Sequence, residues 1–223
     1  MLFRSPLAEY NMNSALFMGN PSFVQFKPLP YAEQEVQIAA SCLNASYFTK
    51  EKASLTLFEG CAQDAPSLLH MATHGIFYEI SASTGSNDWN QAFLTMEKSG
   101  LILANDTLLS CNKISSFDFS NTYLIVLSAC QTGKSHFHSV EGAYGLRRAF
   151  RLAGCHTMIL TLWQVDDRCG CFLMNYFYKH LIEESCHPKQ AFFLALNELR
   201  NYEENNQRPF AHPYYWAGYI FIE

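Results

Sequence analysis

The apolar run Tyr123-Leu-Ile-Val-Leu-Ser128 passes through Ala129 and stops at Cys130, where Gln131, Thr132 and Gly133 follow. A second run of the same layout, Ser67-Leu-Leu-His70-Met-Ala-Thr73, stops at His74 and Gly75, with His74 lying 56 positions upstream of the cysteine. Short apolar stretches bounded by glycine and polar residues read as strands. In an open parallel sheet the carboxyl ends of the strands share the rim at which ligands bind and react. The two runs therefore deliver a thiol and an imidazole to one rim.

The rest of the chain alternates strand and helix patterns. Ala15-Leu-Phe-Met18 before Gly19-Asn-Pro-Ser22 predicts a strand and a turn, and Val36, Ile38, Ala39, Ala40 and Leu43 give residues 31–43 a helical apolar face. Thr49 is placed to cap a helix over 51–58, a strand follows over 100–104, and Asp106 or Thr107 is placed to cap a brief helix. Ala143, Leu146, Ala149, Phe150 and Ala153 recur at helical spacing, with Gly154 as the stop. A strand over 157–162, helices over 168–184 and 188–201, and an aromatic strand over 214–222 complete the pattern, Pro188 suiting a first helical turn.

Residues 79–90, rich in Ser, Gly, Asn and Asp, predict a loop directly after the histidine, and 134–139 a second loop on the same side. Such alternation argues for an α/β fold whose mostly parallel central sheet carries helices on both faces. The length suits a single domain over residues 1–223.

A thiol with an ordinary pKa of about 8.5 is only slightly ionised at neutral pH, and an adjacent imidazole is the usual way to take its proton. A histidine about 50 residues ahead of a Gln-Ala-Cys-[Arg/Gln/Gly]-Gly segment marks caspase-like peptidases. Ala129-Cys130-Gln131 matches the middle of that word, whereas Ser128 and Thr132 depart from it.

The ordered series Asn20-Pro21, Leu29-Pro30, Glu33 and Glu35, Ala72-Thr-His-Gly75, Leu127-Ser-Ala-Cys-Gln-Thr-Gly133, Glu141-Gly142, Leu146-Arg-Arg-Ala-Phe150, Ala153-Gly154, Leu162-Trp-Gln-Val-Asp-Asp167 and His212-Pro-Tyr-Tyr-Trp-Ala217 resembles a CHAT domain. That family is caspase-like, related to separases and often joined to tetratricopeptide repeats. The resemblance implies a caspase-like three-layer sandwich and a chain that is a fragment of a longer one, with tetratricopeptide repeats upstream. It also implies a cysteine endopeptidase acting on a protein substrate. A catalytically silent scaffold for protein interaction is the alternative.

By that resemblance Cys130 attacks the scissile carbonyl, while His74 takes the thiol proton or holds an ion pair with the thiolate and then protonates the departing amine. Backbone N–H groups of Gly75 and Cys130 would serve the oxyanion. Asp167, ahead of Asp166, would supply an acidic residue to the pocket for the P1 side chain, with Trp163 and Gln164 lining the substrate path. Either aspartate would equally suit the start of the helix that follows. His70, four residues before His74, falls on the same strand face and reads as a core or supporting histidine. Glu141 and Arg148 read as architectural polar contacts.

Composition narrows the partners. Charged residues make up 16% of the chain and the formal net charge is −5, so no broad basic surface is present to neutralise phosphates, and direct nucleic-acid binding is not expected. Several of the eight cysteines sit inside apolar periodic runs, and all read as reduced thiols. No run approaches the ~18 apolar residues of a membrane span, and Met1-Leu-Phe-Arg-Ser-Pro6 has no extended apolar core, so a cytoplasmic protein is expected, with the nucleus as the other location. His136 with His138 and Cys169 with Cys171 form close pairs without the spacing of a zinc site. Neither metal nor cofactor is expected.

Overall fold

The computed structural model describes residues 14–78, 88–131 and 139–223. Its elements run β1 (Ala15–Pro21), α1 (Pro30–Cys42), β2 (Tyr47–Lys50), α2 (Leu55–Ala62), β3 (Leu68–Ile76), α3 (Asp88–Lys98), β4 (Gly100–Leu103), β5 (Thr107–Ser110) and α4 (Cys111–Ser115). They continue with β6 (Leu124–Gln131), α5 (Ser139–Leu152), β7 (Met158–Thr161), α6 (Asp167–Tyr178), α7 (Pro188–Asn201), α8 (Pro213–Trp216) and β8 (Tyr219–Ile222). Six strands form the order β2-β1-β3-β6-β7-β8, all parallel to their neighbours except β8.

Two apolar layers follow from the period-two alternation of strand side chains. Leu69, Met71, Ile125, Leu127, Met158 and Leu160 pack under α2, α4 and α5, where Phe58, Ile114, Leu146 and Phe150 close the core. The alternate residues Phe17, Leu68, Ala72, Val126 and Ile159 pack under α1, α6 and α7 against Val36, Leu173, Phe177 and Phe192. The result is a sheet between two helical layers, as expected from the pattern.

β3 outruns β1. Its pairing with β1 ends at Ala72, and beyond that point Gly75 and Ile76 pair antiparallel with β4, which forms a hairpin with β5. On its other side β3 keeps β6 in register as far as Gly75 opposite Gln131. The β4–β5 hairpin thus stands at the rim just where β1 gives way to the loop that leads into α1.

Several local expectations are corrected. Thr49 does not cap a helix: Tyr47–Lys50 pairs with β1 as an edge strand, and the cap is Ser54, whose Oγ accepts from Leu57 N at 3.3 Å. Thr107 opens β5, and Asp106 sits in the turn between β4 and β5; the following helix is capped by Ser110, which accepts from Lys113 N at 3.2 Å. Asp88–Lys98 is helical, so Asn90, expected in the loop, lies in α3. The last strand is only Tyr219–Ile222, because Pro213 at the first helical turn and His212 Nδ1, accepting from Tyr214 N at 3.2 Å, start a short helix instead.

Gly154 ends α5 as expected. Its φ of 98° lies where a side chain is strained, and a Cβ there would come within 2.9 Å of Ser120 N. The expected loop over 79–87 and residues 134–138, with His136 and His138, fall outside the described residues.

Candidate functional site

The register of the two central strands brings the sequence candidates together. His74 of β3 and Cys130 of β6 are Cα partners in adjacent parallel strands. The residue before the cysteine is held by β7, where Thr161 Oγ1 donates to the Ala129 carbonyl at 2.7 Å. The residue before the histidine is held by the hairpin, where Thr73 Oγ1 donates to the Ile102 carbonyl at 2.5 Å.

His74 is buried, and its Nε2 lies 2.7 Å from the Lys27 carbonyl oxygen. A carbonyl can only accept, so Nε2 carries the proton and the neutral ring keeps its lone pair on Nδ1. Nδ1 is buried and has no hydrogen-bond partner among the described residues. Phe23 and Phe26 flank the ring at centroid distances of 4.7 and 5.4 Å. Burial lowers the imidazole pKa below its ordinary value, with the Lys27 carbonyl and the Asp106 charge opposing that shift. The ring is therefore a neutral base at pH 7.

Other thiols are poor nucleophiles. Burial pushes Cys111 and Cys171 up to about 12 and Cys155 up to about 11, so at neutral pH each remains a thiol. Cys42, Cys61, Cys111, Cys155, Cys169, Cys171 and Cys186 are all free of disulfide bonds. Among the described residues no group of three or more His, Cys, Asp or Glu is placed to hold a metal, and no helix is long and apolar enough to cross a membrane.

His70 lies in a buried polar cluster on the same face of β3. Its Nε2 meets Glu35 Oε1 at 2.8 Å, and its Nδ1 meets the Tyr178 hydroxyl at 3.0 Å. Ser128 Oγ donates to the other Glu35 oxygen at 3.3 Å. Glu35 thus spans β3 and β6, four residues below the histidine position and two below the cysteine position. α6 approaches closely here only because residue 170 is glycine: a Cβ would stand 2.9 Å from the Tyr219 hydroxyl and 3.3 Å from Glu35 Oε2.

A profile of the CHAT domain matches residues 3–223. The chain belongs to the CHAT domain family. This CHAT domain is 23% identical, over an alignment of 252 positions, to human tetratricopeptide repeat protein 28, an alignment covering 97% of the domain and 10% of that protein. The chain therefore spans about a tenth of the curated relative it matches. Its fold is similar to that in the crystal structure of the Arg-specific cysteine proteinase gingipain R, with a TM-score of 0.52 and 12% identity over 93% of this chain and 46% of that one. The caspase-like fold expected from the motifs is thereby established.

Four further candidates of the CHAT domain, Trp163, Gln164, Asp166 and Asp167, lie in the segment after β7. Asp166 is the N-cap of α6, its Oδ1 accepting from Cys169 N at 3.0 Å. Asp167 is half-buried, and its Oδ2 accepts from Tyr31 N, at the start of α1, at 2.9 Å. Burial pushes its carboxyl up to about 6, with Glu35 and Asp166 adding to the shift and backbone N–H groups of Tyr31 and Ala32 opposing it. Trp163 donates from Nε1 to the Tyr214 carbonyl at 3.0 Å and stacks where a Cβ on Gly218 would come within 2.7 Å, while Gln164 is exposed. Gly75 is buried between Gln131 and Leu101 in the sheet, and Arg148 is exposed on α5.

Sequence reasoning missed the Lys27 carbonyl, the two phenylalanines around His74 and the bridging of Glu35. A backbone carbonyl carries no residue-type signal. Glu35 was visible only as one word of the family series, without a role.

Proposed function

We propose that this CHAT domain is a cysteine endopeptidase whose Cys130 and His74 act as a dyad on a protein substrate. The observation that carries the proposal is the side-by-side register of the two positions, with His74 held in the Nε2–H tautomer by the Lys27 carbonyl. In that tautomer Nδ1 is the basic atom. It takes the Cys130 Sγ proton as the sulfur forms a bond to the scissile carbonyl carbon, whose oxygen becomes the oxyanion.

Backbone N–H groups at Cys130 and Gly75 are the donors assigned to that oxyanion. The tetrahedral intermediate collapses, the C–N bond breaks, and the imidazolium returns its proton to the leaving amine. Water then attacks the thioester, giving up a proton to His74, and the released sulfur takes it back.

Arg specificity is printed for gingipain R and belongs to that protein. For this chain we extend the proposal to a preference for Arg or Lys at P1, resting on Asp167 with Asp166 beside it and with Trp163 and Gln164 along the substrate path. We also propose that the domain works as one part of a longer chain that carries tetratricopeptide repeats, as its human relative's name describes for that protein.

The test is labelling with a peptidyl acyloxymethyl ketone bearing Arg at P1. The expected result is one adduct per chain on Cys130, abolished in His74→Ala. Labelling spread equally over Cys42, Cys61 and Cys186, or unchanged in His74→Ala, would overturn the proposal and leave the fold as an interaction scaffold.

A further inference from the structure

We propose that Asp106 is a positioning residue of the site, clamping the loop after β1 so that its Lys27 carbonyl holds His74 in one tautomer. The inference rests on the dyad described above for its catalytic meaning, while its physical content concerns His74 alone.

The geometry is a two-point grip. Asp106 Oδ1 accepts from Val24 N at 2.9 Å, and Oδ2 accepts from Gln25 N at 2.8 Å. Beside it Asn105 N donates to the Ser22 carbonyl at 2.8 Å, so the β4–β5 turn meets the loop at Ser22, Val24 and Gln25. A single carboxylate that takes two backbone donors fixes both position and orientation of the segment it grips. That segment is the one that carries Phe23, Phe26 and the Lys27 carbonyl around the His74 ring.

The turn is shaped for this grip. Asn105 and Asp106 have φ values of 60° and 56°, in the left-handed region that non-glycine residues enter at a cost. Thr107 to Ser110 pairs back on β4, and β4 pairs with the end of β3 itself. The aspartate is thereby tied to the strand that bears His74. The loop's other end is closed independently by Asn20, whose Oδ1 accepts from Leu29 N at 2.8 Å and whose Nδ2 donates to Glu33 at 3.0 Å.

Asp106 also acts on His74 through charge, favouring the imidazolium. Other ionisable groups bordering this loop are Lys27 itself and Glu51, which accepts from Ser22 Oγ at 2.7 Å. The local chain of command is therefore aspartate to loop amides, loop carbonyl to imidazole. No direct contact between the carboxylate and the ring is required.

The experiment is nitrogen-detected NMR of the 223-residue chain with labelled histidine, His74 being assigned by its loss in His74→Gln. The wild type is expected to show the Nε2–H tautomer. Asp106→Asn removes the charge and one of the two acceptors; the expected result is a mixed tautomer and a lower titration midpoint. Asp106→Glu keeps the charge but displaces the grip by a methylene, and is expected to mix the tautomers while keeping the midpoint. If peptidase activity is present, kcat should fall about tenfold or more in both variants with KM within about twofold, as misplacement of a base by an ångström predicts. Either folded variant that keeps the wild-type tautomer overturns the proposal, even if its thermal midpoint has dropped. Absence of any thiol labelling in the wild type would overturn the dyad, and the NMR result would still decide the role of Asp106.

Discussion

His74 and Cys130 stand opposite one another in the register of two adjacent parallel strands, though they lie 56 positions apart in the chain. Their neighbours Thr73 and Ala129 are each tied by a threonine hydroxyl bond to a flanking strand, at 2.5 Å to Ile102 and 2.7 Å from Thr161. The positions are therefore fixed by the sheet, and side-chain substitutions at them need not disturb it.

Cys130→Ala and His74→Ala are each expected to reduce peptide cleavage by about a thousandfold or more, since members of a nucleophile and base pair act as a unit. Circular dichroism should remain unchanged for Cys130→Ala. A variant that cleaves a validated substrate at the wild-type rate would remove the dyad.

The carboxylate of Asp167 suits a basic P1 side chain, because a partly desolvated charge gains most from an opposite partner. Peptides with Arg or Lys at P1 are expected to be cut faster than matched peptides with Leu or Asp. Asp167→Ala should erase that preference. Asp166→Ala, by contrast, should lower stability by about 1 kcal/mol through loss of the α6 cap and weaken the preference far less than Asp167→Ala does. A peptide-library profile of both variants decides between them.

Asp167 gives a pH signature with a defined sign. Its carboxyl stands at about 6 in the fold against 3.8 as an ordinary aspartate, so between those values the folded state binds more protons than the unfolded one. The stability it contributes is present at low pH and is lost as pH rises through about 6. Asp167→Asn, which keeps an acceptor for Tyr31 N, should flatten that slope and be the more stable protein at pH 7.5 by about 1 kcal/mol after allowance for solvent screening. Urea melts of the two proteins at pH 4.5 and 7.5 provide the measurement.

His70→Leu is expected to destabilise the domain by about 2–4 kcal/mol. It strips the buried Glu35 carboxylate of its nearest partner and leaves the Tyr178 hydroxyl without an acceptor. Glu35→Gln should cost less, because an amide can still bond to His70 and Ser128. Thermal unfolding of the two variants, with the P1-Arg probe used to follow the site, tests this order.

Much of the architecture was legible in the chain because apolar periodicity is a local property. The runs ending at His74 and Cys130 lie in β3 and β6, which continue to Ile76 and Gln131, the expected helices correspond to α1, α5, α6 and α7, with α6 closing at Tyr178, and the glycine stop at residue 154 appears as read. The errors fell where a tertiary partner overrode a local signal. Tyr47–Lys50 became a strand because β1 offered an edge to pair with, and Asp106, a plausible helix cap in sequence, was taken by the amides of Val24 and Gln25, more than 80 residues away.

The candidate site divides along the same line. Sequence alone supplied the residue types, a thiol and an imidazole at the ends of two apolar strands, together with the ordered words of the CHAT family. Only the tertiary structure decided that the two positions are in register, that a backbone carbonyl fixes the imidazole tautomer, and that Glu35 joins the strands beneath them. The physical reason is that register, tautomer and buried bridging depend on backbone groups and distances between segments remote in sequence, and residue identity at a position encodes neither.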